Sequence, residues 1–230
     1  MGSGAFSACA CLKVVDLPDS VEEIGIDAFA GSGLESFTAP KALRTVHQGA
    51  FYKCEHLREV QLNDGLEVLG SDERQNGMCL NGVFEESGLE NIKLPSTLKV
   101  VEANTFAKCS DLKSVEFSEG LERIELMAFL GSGLERVTFP RSLRVLAQAA
   151  FAKCKSLKTV VLNEGLEILG NDEYIIDGEM YYGVFGYSAV QDVCLPATLK
   201  RIEYSAFKGC KNLSRLALPD GLEFIGKQCF

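Results

Sequence analysis

Apolar and polar positions follow a six-residue pattern, L-x-x-V-x-L, that returns nine times along the chain with its first position at Leu12, Leu34, Leu57, Leu89, Leu112, Leu134, Leu157, Val190 and Leu213. Its last three positions alternate, as a strand with one buried face does. Downstream come a Pro or polar residue, an aliphatic anchor, an Ile/Leu-Gly corner and a Phe usually preceded by a small residue, as in Pro18, Val21, Ile24-Gly25 and Ala28-Phe29. The Phe recurs at Phe6, Phe29, Phe51, Phe84, Phe106, Phe129, Phe151, Phe185, Phe207 and Phe230, at spacings of 22 or 23 residues with two of 33 and 34. Each unit therefore supplies one short strand. Such a unit cannot bury its own apolar face, so successive units must stack.

Two kinds of unit alternate. One carries Cys three residues after Phe, as in Phe106 to Cys109, and the other carries Ser there, as in Phe129 to Ser132. Four units make a larger repeat of about 100 residues, so the pattern predicts one solenoid over residues 1–230 of about nine units: a first cassette over 6–105, a second over 106–206, and the start of a third over 207–230.

Laid out as L-x-x-V-x-L-P-x-x-L-x-x-I-G-x-x-A-F-x-x-C, the sequence resembles the BspA-type leucine-rich repeat family over essentially its whole length. The resemblance implies a curved solenoid with a parallel β-sheet on the concave face and short strands or helical turns on the convex side. It also implies protein binding or cell-surface adhesion rather than catalysis. The Asn ladder of other leucine-rich repeats is missing, as the resemblance leads one to expect.

Composition refines this picture. The chain has 230 residues, 23 basic against 32 acidic side chains, and a net charge of −9, which opposes binding to nucleic acid. No run approaches the roughly 18 apolar residues that a membrane-spanning helix needs, so no membrane insertion is expected. Two rows alternate in sign from unit to unit: Lys13, Glu35, Arg58, Glu90, Lys113, Glu135, Lys158, and Glu22, Arg44, Glu67, Lys99, Glu122, Arg144, Glu167, Lys200, Glu223. Stacking would set opposite charges side by side and discourage slips by one unit.

The nine cysteines form no disulfide framework. Five of them, Cys9, Cys54, Cys109, Cys154 and Cys210, share one repeat position and alternate with Ser32, Ser87, Ser132 and Ser188, so successive members stand two units apart, beyond disulfide reach. They read as small buried thiols. An odd count without a framework favours a reducing, cytoplasmic compartment, with the cell surface or secretion as the alternative. Cys194 alone falls at an outward strand position. The two histidines, His47 and His56, face Ala147 and Ser156 in the second cassette, and no metal-site spacing follows Cys54 and His56. Neither an enzyme, a cofactor nor a metal is predicted. The Gly31-Ser32-Gly33 and Gly131-Ser132-Gly133 triplets lack a following Lys and read as tight turns rather than phosphate loops.

A protein partner is the expected ligand, with identity unspecified. The third and fifth residues of each strand pattern should point outward from the concave sheet and include Glu59, Gln61, Asn91, Lys93, Glu116 and Arg136. Such a polar, aromatic-free surface fits a solvated sheet as well as a binding face. The two long units carry inserts, Ser71 to Val83 and Asn171 to Val184, and the second is unusually apolar, with Tyr174, Ile175, Ile176, Met180, Tyr181 and Tyr182. It reads either as a partner-contacting loop or as a cover for the solenoid edge. An adhesin segment, or a regulatory array fused to an enzyme, stands as the alternative function. Without evident capping units, the ends are expected to promote self-association.

Overall fold

The computed structural model describes residues 1–70, 81–170 and 182–230, together with the backbone of four two-residue strands in the inserts. The L-x-x-V-x-L segments form a parallel ladder from β2 (Ser36–Thr38), β4 (Glu59–Gln61), β8 (Asn91–Lys93), β10 (Ser114–Glu116), β12 (Arg136–Thr138), β14 (Thr159–Val161), β18 (Asp192–Cys194) and β20 (Arg215–Leu216). The middle residue of each three-residue strand turns inward while its flanks face out, as at Ser36-Phe37-Thr38. The expected parallel solenoid is present.

Each unit supplies a second, shorter strand as well, as the family resemblance implies beside the one that alternation places. These are β1 (Glu23–Ile24), β3 (Thr45–Val46), β5 (Val68–Leu69), β9 (Val100–Val101), β11 (Arg123–Ile124), β13 (Val145–Leu146), β15 (Ile168–Leu169), β19 (Arg201–Ile202) and β21 (Phe224–Ile225). Two residues are too few to show alternation in a sequence, although one outward and one buried position recur, as in β11 and β15. Within the inserts, β6 (Arg74–Gln75) pairs antiparallel with β7 (Met78–Cys79), and β16 (Ile175–Ile176) with β17 (Glu179–Met180). The described residues contain no helix.

Of the short strands or helical turns expected outside the main sheet, short strands are present, joined by tight turns at the Phe corner. The amides of Asp27, Phe29 and Gly31 donate to the carbonyls of Gln48, Ala50 and Tyr52 in the next unit, while those of Ala28, Ala30 and Ser32 close three-residue turns within their own. Alternating donors between two directions prevents a helix and makes the corner a third hydrogen-bonded row. It also forces positive φ on either side of Phe: Asp27 and Gly31 around Phe29, Met127 and Gly131 around Phe129, Ala149 and Lys153 around Phe151.

The core runs along the stacking axis. Ten Phe rings form one stack from Phe6 to Phe230, with centroid separations such as 5.3 Å for Phe6–Phe29, 4.9 Å for Phe129–Phe151 and 5.8 Å for Phe151–Phe185. These distances match the spacing of neighbouring strands, which is why one Phe per unit suffices. From Phe29 to Phe207 the stacking Phe rings are fully buried.

The ladders are not continuous. The first stops between β10 and β12, where Phe117 and Phe139 still stack at 5.5 Å, and the second stops between β5 and β9. At each break the other ladder, or the corner row, carries the stack across.

Candidate protein-binding surface

The outward side chains of β4, β8 and β10 line an open groove of about 550 Å³. Glu59, Gln61, Asn91, Lys93 and Glu116 all border it, because parallel pairing sets Glu59 opposite Asn91 and carries Asn91 and Lys93 onto Ser114 and Glu116. Lys93 and Glu116 form an ion pair of 2.7 Å, and the Ser114 hydroxyl donates to Asn91 Oδ1 at 2.6 Å. The Lys93 ammonium is held above its ordinary pKa, first by its bond to Glu116 and then by that carboxylate's charge. Arg58 closes one wall: its Nη1 donates to the carbonyls of Glu55 and Gly88, and its Nε lies 3.6 Å from Glu90. Glu59 and Gln61 are left as exposed groups that can meet an incoming chain.

Arg136, the sixth ladder residue singled out, does not join this groove. It lies on β12, beyond the break in the first ladder, and pairs in register with Thr159. Pattern counting places it one unit along but carries no signal of the break.

Of the second insert, Tyr182 is described and half-buried. Its ring meets Tyr187 edge-on at 5.3 Å and lies 4.2 Å beneath the Lys153 ammonium. This one aromatic thus folds against the solenoid. Ile175 and Met180 face each other across the β16–β17 pair, with Ile176 beside them, in backbone terms only. Tyr174 and Tyr181 lie outside the described residues.

Sulfur and serine occupy the corners for a reason alternation alone does not disclose. In the row three residues after Phe, each buried thiol donates to the carbonyl of the Phe one unit earlier, at 3.1 Å for Cys54 to Phe29, 2.9 Å for Cys109 to Phe84 and 3.2 Å for Cys154 to Phe129. Beside it stands the Ser of that same unit, with Ser132 Oγ 3.4 Å from Cys154 Sγ. Burial pushes the Cys109 thiol up to about 12 and Cys154 up to about 11, which keeps both protonated and poor nucleophiles. Cys9, Cys11 and Cys194 are exposed.

The alternating charge rows are partly paired. Lys13–Glu35, Arg44–Glu67, Arg58–Glu90, Lys99–Glu122 and Lys200–Glu167 come within 4 Å, all with exposed side chains. Solvent screens all of these exposed pairs, so the rows act on register more than on stability. His47 Nε2 lies 3.9 Å from Glu23, and His56 is exposed while its neighbour Cys54 is buried. Among the described residues, no cluster of three or more His, Cys, Asp or Glu could hold a metal ion, and no helix is long and apolar enough to cross a membrane.

Stacked parallel strands, a one-Phe-per-unit core and repeated corners define a leucine-rich repeat solenoid. The sequence profile of the BspA type Leucine rich repeat region matches in six copies over residues 1–81, 78–174 and 178–230, and the chain belongs to that family. Solved structures agree on the fold. A leucine-rich repeat protein from Bacteroides ovatus superposes with a TM-score of 0.61 at 25% identity, covering 100% of this chain and 66% of its own. One from Eubacterium ventriosum gives 0.54 at 22% identity, with 100% and 66% covered. A leucine rich cell surface protein from Faecalibacterium prausnitzii gives 0.51 at 19%, with 100% and 73% covered. The chain thus spans just under two thirds of the Bacteroides relative. No curated protein matches significantly.

Proposed function

We propose that this chain is a non-enzymatic scaffold that holds a protein partner against the outward face of its first ladder. The supporting observation is the groove over β4, β8 and β10, where Glu59, Gln61, Asn91, Lys93 and Glu116 converge on a frame fixed by the first ladder and the corner row. Rigid presentation matters because side chains already held in place lose little freedom on binding. The groove mixes both signs of charge and offers hydrogen-bond donors and acceptors beside Val60, Ile92 and Val115, which suits an extended segment of mixed character. The 171–182 insert, with Ile175, Ile176, Met180 and the three tyrosines, is the proposed second contact, and Arg136 flanks the groove beyond the ladder break.

Replacing Glu59 and Lys93 together by Ala should weaken partner binding about tenfold or more, as loss of central polar contacts does. Both side chains are exposed, so the melting temperature should hold. Unchanged affinity in that variant contradicts the proposed site.

A further inference from the structure

Two blocks of three units, starting at Phe51 and Phe151 and each running one unit into the following cassette, place opposite charge at the same corner. In the first, the turns after Phe51, Phe84 and Phe106 carry Lys53, Glu55, Glu85, Glu86, Lys108 and Asp111, two lysines against four carboxylates. These groups neutralise one another: Lys108 Nζ lies 3.0 Å from Glu85 and 2.8 Å from Glu86, and Lys53 lies 3.7 Å from Glu86. In the second, the turns after Phe151, Phe185 and Phe207 carry Lys153, Lys155, Lys208 and Lys211, with no carboxylate. Gly186 and Tyr187 stand where the first cassette has Glu85 and Glu86.

The fold holds this second corner together. The Lys153 amide donates to the Gly186 carbonyl and the Tyr187 amide to the Lys208 carbonyl, so the three turns stack. Lys155 Nζ donates to the Tyr187 carbonyl at 2.8 Å, Lys208 Nζ to Gln228 Oε1 at 2.6 Å, and Lys153 sits over the Tyr182 ring. Every one of these contacts is with a neutral group, and among the described residues no carboxylate comes within ion-pair distance of the four lysines. Lys153, Lys155, Lys211 and the Tyr187 ring are exposed. On a chain of net charge −9, four lysines gathered around two tyrosines, with no carboxylate paired to them among the described residues, form a local positive field.

We infer that the corner of the second block, built from Lys153, Lys155, Lys208 and Lys211 around Tyr182 and Tyr187, docks an acidic segment of the partner protein. The inference rests on the protein-binding reading and adds a second, charge-selective contact to it. Carboxylates would replace those that the first block supplies internally, and the tyrosine rings would cover the aliphatic parts of the acidic side chains. The first cassette, with Glu86 at the position of Tyr187, lacks this site.

The test uses a fluorescein-labelled deca-glutamate peptide and fluorescence anisotropy with the full chain at low salt, roughly 20 mM NaCl, where exposed charges are weakly screened. Binding is expected for deca-glutamate. Lys153→Gln, Lys155→Gln and Lys211→Gln combined should weaken it about tenfold, whereas Lys41→Gln, Lys99→Gln and Lys113→Gln, with the same change in net charge, should alter it less than about twofold. Tyr187→Glu should abolish binding. It introduces the residue that the equivalent Glu86 already presents at the same positive φ, so it keeps the fold if the triple variant does not. No binding by the parent chain, equal loss in the two triple variants, or full binding by Tyr187→Glu overturns the inference. Because deca-glutamate reads the corner alone, its retention in a Glu59→Ala/Lys93→Ala variant that binds partner normally would sink the groove proposal and leave the corner standing.

Discussion

At the residue scale, the Gly-Ser-Gly triplet shows how much one turn asks of three positions. Gly131 has φ +67° with open space around it, Ser132 stands beside the Cys154 thiol, and Gly133 packs so close to the previous unit that a Cβ would lie 2.0 Å from the Ser110 carbonyl oxygen. Gly131→Ala should therefore cost only the backbone penalty, about 1–2 kcal/mol, while Gly133→Ala should cost more because backbone must move. Urea unfolding of the two variants separates them, and equal losses would contradict this division. The triplet was legible as turn chemistry. Lys53, Glu86, Met127 and Lys153 at positive φ were not, since nothing in those side chains signals a left-handed conformation that inter-unit hydrogen bonds impose. The thiols add a pH dependence. Burial raises the Cys109 pKa from 9.0 to about 12, so the fold favours the neutral thiol; its contribution is intact below about pH 9 and is lost as pH rises toward 12. Thermal melts at pH 8 and pH 11 should show a larger fall for the parent than for Cys109→Ser, and parallel falls would remove the thiol from the explanation.

At the scale of the element, the unit is a three-sided turn of chain rather than a strand with a return. Alternation over L-x-x-V-x-L sufficed to place β2, β4, β8 and their successors with the correct inward residue. The second strand, implied by the family resemblance, has no signal of its own in the alternation because its two residues, as in Arg123-Ile124, give no period to count, and the breaks between β10 and β12 and between β5 and β9 leave no mark on the repeat. The same limit explains the candidate site: register brought five of the ladder residues together, but Arg136 fell across a break. The Phe column is the element most open to test. Phe129 is fully buried between Phe106 at 5.0 Å and Phe151 at 4.9 Å, with Phe117 edge-on at 5.8 Å. Phe129→Ala should cost about 3–5 kcal/mol, against a much smaller loss for Phe6→Ala at the half-exposed end of the stack. Comparable losses at the two positions would mean that the column does not carry the core.

At the scale of the whole molecule, similar units share one core and differ in their surfaces. Core positions repeat across both cassettes, while the corner charges invert and the inserts differ in apolar content. Leu218, Phe224, Ile225 and Phe230 are exposed within the last turns of the solenoid, and Arg201 lies 4.2 Å over the Phe224 ring. The family and the solenoid were legible because every unit repeats them. The proposed partner contacts were less so, since they lie at departures from the repeat and a single sequence does not rank departures.

The most direct test of the central claim, that a protein partner lies over the β4–β8–β10 groove, is site-specific photo-cross-linking. A photoreactive phenylalanine analogue placed at Gln61 should yield a discrete adduct with one partner protein, while the same group at Glu223, on a distant exposed turn, should yield none. Adducts of equal yield at both positions, or none at Gln61 with partner demonstrably bound, would contradict the account.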